Sequence, residues 1–456
     1  MPMPHFGSLQ ASATAQDFCA VAEARLMTNG LDVAELDYEL KKIQYLEGQI
    51  PQNHGQCTWA RKALFHRIKN GSCVDKHAAT RLRYVELCQS RFDRGIPFNI
   101  AAVQDARLAL EQRIRISRQD LPPGLIDNRG AVNLQRLSEV IPPALRSAWP
   151  TDAYGDLLTS KEALQQLDNK WAELLLTAKA CHRDQILRNF RIDEDGRHRS
   201  WANPFGTKTG RDKPVGASFL YLPKAYRNLI QPDADSVVAY IDYEQQEPLI
   251  AAVFAGHERL LSLYAQGDLY AALADDGAWS TLSRKQFKRL FISYLYGRSP
   301  AAFCGAYGID SATAQAWGQA LDELLRPIEE WMKAKTAQAF SDGIIRSLDW
   351  HIWVQPDMSP LSLRNWPIQA AGADILRRAC FGLADAGIAT IGGLHDAVLI
   401  EVPLLNYQKR IAEAESIMQL ASASVLHGIP LRTKVEHIYF PAQHPYVINQ
   451  NQQESS

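Results

Sequence analysis

The sequence predicts an α+β protein in which a mainly helical N-terminal region is followed by mixed strands and helices. Its 456 residues are too many for one compact core, so two or three domains are expected. Between about Ala15 and Leu121, and again over 160–190, apolar residues recur at steps of three and four, the period of an amphipathic helix. From about Ser236 to Ile438 the pattern mixes short β-branched runs with helical segments.

The composition indicates a soluble cytoplasmic protein and gives no global sign of nucleic-acid binding. Hydrophobic residues make up 46%, charged residues 22%, and the formal net charge is −1, so any affinity for phosphate would depend on local Lys and Arg. Seven cysteines without a CxxC motif suit a reducing compartment. The N-terminus lacks the pattern of a secretory signal, and no window has the apolar length of a membrane span.

An apolar run from Val237 to Ile241 predicts a buried strand that ends on a carboxylate. Asp242 follows the run directly, and a second acid, Glu247, comes five residues later. A buried carboxylate is costly unless a metal ion or a set of hydrogen bonds compensates for lost water. This segment alone leaves both explanations open, a metal ligand and a hydrogen-bonded structural acid.

The segment SRKQFKRLFISYLYG (283–297) predicts a helix with a row of chemically distinct side chains along one face. It opens with the S-x-x-Q spacing of a capping box, and Arg284, Lys288, Ile292 and Tyr296 then recur every four residues. The two cations stand at the N-terminal end, where the helix dipole also favours anions. A nucleoside triphosphate along this face would place its phosphates at the cations and its base near the tyrosine. The alternative is an amphipathic surface helix with solvated cations.

Residues 391–403, IGGLHDAVLIEVP, predict two short strands that meet at His395 and Asp396. His-Asp is not the Asn-Gly type of turn that a tight hairpin usually selects, so its presence suggests function. Aspartates 242 and 396, at the ends of distant strands, could share Mg²⁺, which prefers carboxylates, water and substrate phosphate. Two ions about 3.5–4 Å apart would form the clamp used for in-line displacement at phosphorus.

Five segments, taken together, resemble those of the family A DNA polymerases, the class of bacterial DNA polymerase I, and especially short members from phages, prophages and plasmids. DYEQQEPLIAAVFAG is similar to motif A, RKQFKRLFISYLYG to motif B and HDAVLIEVP to motif C. TKTGRDKP (207–214) resembles the T-G-R element at the thumb–palm junction. SLRNWPIQAAGADILRRA (362–379) resembles the helix that carries the family's Asn and Gln. Order and spacing agree from about residue 80 to 440.

The resemblance implies a right-hand polymerase with a thumb, a palm built on an antiparallel sheet, and helical fingers. The implied divisions are a helical N-terminal region at 1–119, the thumb at 120–205, palm and fingers at 206–440, and a polar tail at 441–456. Two alternatives stay open for the N-terminal region, a remnant of an exonuclease-like domain and a separate helical module. The implied activity is template-directed addition of dNTPs to a primer 3′ end by a monomeric DNA-directed DNA polymerase. Its partners would be primer–template DNA and dNTPs, and its cofactor two Mg²⁺ ions, with Mn²⁺ as a substitute.

Individual roles carry over at the positions that match the family motifs. Asp242 and Asp396 match the metal-binding, catalytic aspartates. Glu247 matches the steric gate, which contacts Tyr296 and rejects the ribose 2′-hydroxyl. Lys288 matches a triphosphate ligand that protonates the departing pyrophosphate. The remaining matches approach the nucleotide or line the primer–template, mostly in the minor groove, where acceptors are similar for every base pair. The nucleotide group is Arg284, Ile292, Gln245 and Tyr270, and the DNA group is Thr209, Arg211, Asn365, Gln369 and His395.

Departures from the family pattern keep two alternatives open. Ala397 stands where the family often has Glu, Ile292 stands where Phe or Tyr is common, and the segment between motif B and Asn365 is short. One alternative is a polymerase with altered substrate use, such as ribonucleotide incorporation or untemplated addition. The other is a catalytically silent DNA-binding relative. The sequence leaves the biological role open among replication, repair, lesion bypass and service to a mobile element.

Two weaker patterns in the N-terminal region predict no chemistry. A proofreading nuclease needs a strand with D-x-E, but the match at 37–39 lies in a helical pattern, so we expect no 3′–5′ exonuclease. His54, Cys57, Cys73 and His77 have zinc-like spacing in an unusual order, and a helix–turn–helix is the preferred interpretation.

Overall fold

The structure is a computed structural model that describes residues 78–127, 130–152, 155–275, 277–301, 303 and 309–444. The helical pattern before residue 78, the D-x-E match, the zinc-like spacing and the tail beyond residue 444 lie outside the described residues.

Helices dominate the described chain, as the apolar period predicts. In chain order they are α1 Ala78–Arg94, α2 Ile100–Asp120, α3 Leu134–Val140, α4 Pro143–Ala148, α5 Lys161–Gln165, α6 Lys170–Asp184, α7 Ile186–Asn189, α8 Gln246–Ala255, α9 Glu258–Gln266, α10 Leu269–Ala274, α11 Arg284–Leu295, α12 Ser311–Asp342, α13 Pro360–Arg364, α14 Trp366–Asp385 and α15 Tyr407–Val425. Within the described residues, no helix is long and apolar enough to cross a membrane.

The strands form one four-stranded sheet and three small two-stranded ones. They are β1 Ile96–Pro97, β2 Arg197–His198, β3 Ala202–Asn203, β4 Lys213–Pro214, β5 Ser236–Tyr243, β6 Ile344–Arg346, β7 His351–Trp353, β8 Ala389–Leu394, β9 Ala397–Pro403 and β10 Thr433–Tyr439. The larger sheet has the order β10-β5-β9-β8, and every neighbouring pair is antiparallel. The antiparallel sheet predicted for the palm is therefore present.

Strand β5 is apolar along most of its length because both faces of the sheet are covered. Ile241 and Tyr243 lie on the face that helices α8, α14 and α15 cover, and they belong to the largest hydrophobic core. Val238 lies on the opposite face, in a second core that α2 and the segment after α6 help to form. Asp242 shares this second face, at the end of the strand.

Helix α1 packs into the largest core rather than standing apart from it. Tyr84, Val85 and Cys88 are buried there, and α1 contacts both α14 and β8. A third, smaller core is formed within residues 125–175 by apolar residues such as Leu137 and Trp149. The numerical domain boundaries inferred from the sequence remain predictions.

Candidate active site

The two predicted metal aspartates meet at one end of the larger sheet. Asp242 lies opposite Ala397 in the β5–β9 register, and the Tyr243 backbone N–H donates to the Asp396 carbonyl oxygen over 3.0 Å. His395 adopts a positive φ of 30° in the β8–β9 turn, which a tight two-residue connection demands. The sheet register therefore brings side chains from residues 154 positions apart into one site.

Burial and mutual repulsion disfavour ionisation of both aspartates at once. The pKa of Asp242 is raised by burial, then by the charges of Asp396 and Glu436, while Lys288 acts in the opposite direction. The pKa of Asp396 is raised chiefly by burial, although Arg211 and His395 oppose this. Two carboxylates that share a buried site need a counter-cation if both are to be charged.

The donor set fits a hard divalent cation. Oδ1 of Asp242 is buried and has no hydrogen-bond partner among the described residues. The described part of the chain holds no cluster of three or more His, Cys, Asp or Glu suited to a metal, and Asp242 and Asp396 are the carboxylates that would ligate the ion. Mg²⁺ is bound in this way, by one or two carboxylates together with water and substrate phosphates.

Helix α11 presents its cations above a buried aromatic ring. The predicted capping box is present: Ser283 caps the Gln286 backbone, and the Gln286 side chain returns to the Ser283 backbone. Arg284 and Lys288 lie 5.7 Å and 5.6 Å from the centre of the Tyr270 ring. Lys288 also lies close enough to Asp242 for its charge to oppose the rise in the pKa of that carboxyl. Of the two predicted cations, Lys288 is therefore the one that the structure places near an aspartate.

Arg284 is already paired in this structure. Its Nε donates to Oδ2 of Asp268 over 2.8 Å, and Asp268 in turn caps α10 by accepting from the Ala271 backbone N–H. Sequence reasoning missed Asp268, because an ion pair between two segments depends on tertiary packing. A bound triphosphate would have to compete with this carboxylate for the arginine.

A hydrogen-bond network links the predicted steric gate to the predicted DNA-contacting residues. The Tyr296 hydroxyl donates to Oε1 of Glu247 over 2.7 Å, and Nη2 of Arg211 donates to the same oxygen over 3.0 Å. Nε2 of Gln369 donates to the Tyr296 oxygen over 3.0 Å. Burial and the Glu247 charge raise the pKa of Tyr296, so its hydroxyl stays protonated and remains a donor. Four predicted site residues therefore form one connected unit.

Gln245 connects the strand of Asp242 to the helix of Glu247 through an unusual backbone conformation. It has φ 56° and ψ 39°, in the left-handed region, and its Oε1 accepts from the Leu269 backbone N–H over 3.1 Å. This bond fixes α8 against the start of α10, which carries Tyr270. Ile292, one turn before Tyr296, is partly buried and packs against the largest core.

The Thr207–Arg211 turn is held rigidly beside the site. Gly210 has φ +72°, and a Cβ there would lie 2.8 Å from Cγ of Trp350. The Trp366 indole N–H donates to the Lys208 carbonyl oxygen over 2.8 Å. Thr209 Oγ1 lies 3.2 Å from Thr207 Oγ1. Packing around the backbone of the turn therefore fixes the position of Arg211.

The other predicted DNA-contacting residues lie at the start of α14 and at the sheet turn. Asn365 immediately precedes α14, is 9% exposed, and has a buried Oδ1 without a partner among the described residues. His395 is exposed in the β8–β9 turn. The Asn365 oxygen is therefore left to be satisfied by something other than the described polypeptide.

Sequence reasoning also passed over Gln246, which lies between two predicted site residues. It is 3% exposed, and both polar atoms of its amide lack a hydrogen-bond partner among the described residues. The signal in the sequence was a glutamine in the first turn of a helix, QEPLIAAVFA, whose residues after Glu247 are all apolar. The sequence pattern shows that Gln246 is unusual but gives no indication of what it contacts.

Comparison with known proteins identifies the family. The profile described as DNA polymerase family A matches residues 137–437, about two thirds of the chain. The chain belongs to the family A DNA polymerases. Among curated relatives of this family A chain, the DNA polymerase of Mycobacterium phage L5 is 25% identical over 243 residues, which are 52% of this chain and 40% of the relative. The thermostable DNA polymerase I of Thermus thermophilus is 22% identical over 383 residues, 75% of this chain and 44% of the relative.

A solved structure confirms the fold predicted from the family resemblance. The POL domain of Pol1 from M. smegmatis, in complex with DNA primer–template and dNTP, matches with a TM-score of 0.63 at 18% identity. The match covers 94% of this family A chain and 78% of the other. The described elements thus form a right-hand polymerase fold. The family A chain spans less than half the length of the two curated relatives it matches.

Proposed function

We propose that this chain is a template-directed DNA polymerase that extends a primer with dNTPs. The observation that carries the proposal is the meeting of Asp242 and Asp396 near Lys288, with one carboxylate oxygen buried and without a partner among the described residues. A structural role would leave that oxygen without compensation, whereas a metal-bound role uses it. The related POL domain was solved with DNA primer–template and dNTP, which supports DNA and dNTPs as the partners here.

In the proposed reaction the primer 3′-hydroxyl oxygen attacks the α-phosphorus of the dNTP. A new P–O bond forms as the bond from the α-phosphorus to the bridging oxygen breaks, the hydroxyl proton passes to solvent water, and pyrophosphate leaves. Asp242 and Asp396 would hold two Mg²⁺ ions, which when bound would neutralise charge at the reacting phosphate and acidify the attacking hydroxyl. Lys288 gives a proton to the departing pyrophosphate, and Arg284 binds its phosphates after release from Asp268. Positioning and electrostatics account for most catalysis of this kind.

The side-chain network at Glu247 supports deoxyribonucleotides as substrates. Glu247 is held by the Tyr296 hydroxyl, so its carboxylate cannot move aside to admit a 2′-hydroxyl without breaking that hydrogen bond. Replacing Glu247 by Ala should raise the use of rNTPs relative to dNTPs by at least tenfold. Unchanged selectivity in single-nucleotide kinetics would place sugar discrimination elsewhere and would favour the altered-substrate alternative.

Primer extension with Mg²⁺ and dNTPs tests the proposed activity directly. The wild type should extend the primer, and Asp242→Asn and Asp396→Asn should each reduce the rate by at least a thousandfold. Asp120→Asn, an exposed acid at the end of α2, serves as the matched control and should extend normally. A folded wild type that binds primer–template but never extends it would instead indicate the catalytically silent relative.

We further propose that the chain lacks 3′–5′ exonuclease activity and acts as a monomer. The proposal rests on the sequence, since the D-x-E match at 37–39 has a helical rather than a strand pattern. A mismatched primer incubated with the protein and Mg²⁺, without dNTPs, should keep its length. Shortening of that primer, lost on substitution of Asp37, would contradict the proposal, and light scattering would test the monomer.

A further inference from the structure

Gln246 is a buried amide whose hydrogen-bonding capacity is unused in the described structure. It begins α8, directly after the left-handed Gln245, and is 3% exposed. Neither Oε1 nor Nε2 has a partner among the described residues. An unmade hydrogen bond on a buried group costs about 1–3 kcal/mol, and an apolar side chain of the same size avoids that cost. An amide at this position therefore suggests a partner that it gains in another state.

The nearest candidate partner is the guanidinium of Arg211. A Cβ placed on Gly372 of α14 would lie 2.7 Å from Oε1 of Gln246 and 3.5 Å from Nη2 of Arg211. Both groups therefore lie against the same glycine, in space that any side chain at position 372 would take. Nε of Arg211 is also buried without a partner among the described residues. The unused acceptor of Gln246 thus lies near the guanidinium group that carries this unused donor.

Arg211 has competing demands in this site. Its Nη2 donates to Oε1 of Glu247, which already accepts from Tyr296. On the proposed function, Glu247 faces the sugar of the incoming nucleotide while Arg211 faces the primer terminus. If Arg211 kept its hydrogen bond to Glu247, its guanidinium could not also turn fully toward the DNA. If Arg211 released Glu247, the guanidinium would need another hydrogen-bond acceptor.

We infer that Gln246 is a positioning residue that accepts a hydrogen bond from Arg211 when the arginine leaves Glu247. Its amide oxygen holds the guanidinium beside Gly372, aimed at the primer-terminal base pair, and frees Glu247 to contact the nucleotide. The absence of a side chain at Gly372 provides the room for this second position. The inference deepens the proposed function and rests on it, since it assigns the residue that couples primer binding to nucleotide binding.

Substitution of Gln246 by Met separates positioning from stability. Methionine has nearly the same shape and removes the amide, so the variant should unfold at the same temperature as the wild type or a few degrees higher. Its kcat/KM for the next correct dNTP should fall about tenfold, with most of the loss in KM. An amide that is merely structural, satisfied by buried water, would instead lower the unfolding temperature and leave KM unchanged.

A double-mutant cycle with Arg211→Ala tests the coupling itself. If Gln246 acts through Arg211, Gln246→Met should have little further effect on kcat/KM once the arginine is absent. If the factors by which the two single substitutions lower kcat/KM simply multiply in the double variant, the inference is wrong. Gln246→Glu, which keeps an acceptor oxygen at the same reach, should retain most of the wild-type efficiency.

A glycine pair provides a second test that leaves the amide intact. Gly372→Ala should crowd Gln246 and Arg211 and reproduce the rise in KM. Gly318→Ala, also within a helix but with its nearest neighbour 3.4 Å from the new Cβ, is the matched control and should behave as wild type. Equal behaviour of both alanine variants would contradict the role of Gly372.

Affinity measurements distinguish failure of this inference from failure of the proposed function. A wild type that binds primer–template without extending it would overturn the activity alone. The coupling between positions 246 and 211 would then be measured from primer–template affinity with the matching dNTP present. Additive affinity losses in that measurement would overturn the positioning role.

Discussion

Asp242 illustrates at the residue scale how a site can be built at a cost to stability. Its carboxylate is partly buried, faces Asp396, and has one oxygen without a partner among the described residues. The raised pKa reflects this conflict, because the folded environment disfavours the charged form. The apolar pattern was enough to predict that a buried strand ends at this acid. Sequence motifs also predicted that Asp396 shares the site, but no pattern indicated that Glu436, on β10, would add to the conflict.

The first prediction concerns Asp242 and Mg²⁺. Without metal, Asp242→Asn should be at least as stable as the wild type, because the amide removes a buried charge. Added Mg²⁺ should raise the unfolding temperature of the wild type but not that of the variant, since the ion stabilises only a fold that binds it. Thermal unfolding with and without Mg²⁺ measures both effects. An equal Mg²⁺ shift in the two proteins would place the ion elsewhere.

The second prediction concerns His198, which is buried in its neutral form. Its ring stacks on Phe190 at 3.7 Å, and Nδ1 lies 2.6 Å from the Arg191 carbonyl oxygen, to which it donates. Burial lowers the pKa of His198 to about 4, so the unfolded state binds more protons between about pH 6.5 and 4. Stability is therefore full above pH 6.5 and lost as the pH falls, by up to about 3 kcal/mol.

Urea unfolding at pH 7 and pH 5 checks this expectation. His198→Phe keeps the stacking and cannot take up a proton, so its free energy of unfolding should change less between the two pH values. A variant with the same pH dependence as the wild type would show that other groups dominate acid unfolding.

At the element scale, the Thr207–Arg211 turn shows how packing of a backbone places a functional side chain. Arg377 donates to the Gly210 carbonyl oxygen over 2.7 Å, and the Trp350 ring lies against Gly210 where a Cβ would be. The T-G-R pattern identified this turn from sequence. The tryptophan and arginine that hold it come from other segments, and no local pattern connects them.

The third prediction compares two glycines near this turn. Gly210→Ala should destabilise the protein by about 2–4 kcal/mol, because alanine meets both a left-handed backbone and the Trp350 ring. Gly216→Ala is the control: its φ is +68°, but a Cβ there meets nothing within 4 Å, so the cost should be about 1 kcal/mol. Chemical denaturation measures the difference. Equal costs would show that Trp350 can move aside.

Elements with strong local signals were predictable, whereas contacts between elements were not. The capping box at Ser283 and the strand before Asp242 follow from patterns of a few residues, and both are present. The pairing of Arg284 with Asp268 and the unsatisfied amide of Gln246 depend on how helices pack. The assigned roles of the site residues remain predictions until the experiments above are done.

At the scale of the whole molecule, an ion pair connects helix α11 to the region of the small core. Arg289 on α11 pairs with Glu162 on α5, next to the small core within 125–175. Both side chains are partly exposed, so the pair should contribute less than about 1 kcal/mol. It can bias the approach of α5 to α11 but is too weak to hold the two helices together.

The fourth prediction concerns this ion pair. Glu162→Gln should tighten primer–template binding about two- to fivefold at low salt, because it removes a negative charge beside the cationic helix α11. The gain should disappear as ionic strength rises and the charges are screened. Fluorescence anisotropy across a salt series measures the effect. A gain that persists at high salt would mean that the substitution acts through a change of shape.

Helix α1 has a consequence for how this gene could recombine with its relatives. Its buried Tyr84 donates a hydrogen bond to Asp212, and its Arg81 donates to the Asp349 backbone, so it forms part of the surroundings of the catalytic sheet. A crossover that exchanged the N-terminal region at residue 119 would separate α1 from these partners and expose its apolar face. Chimaeras with a junction after α1 should therefore fail to fold, and loss of a cooperative thermal transition would show this.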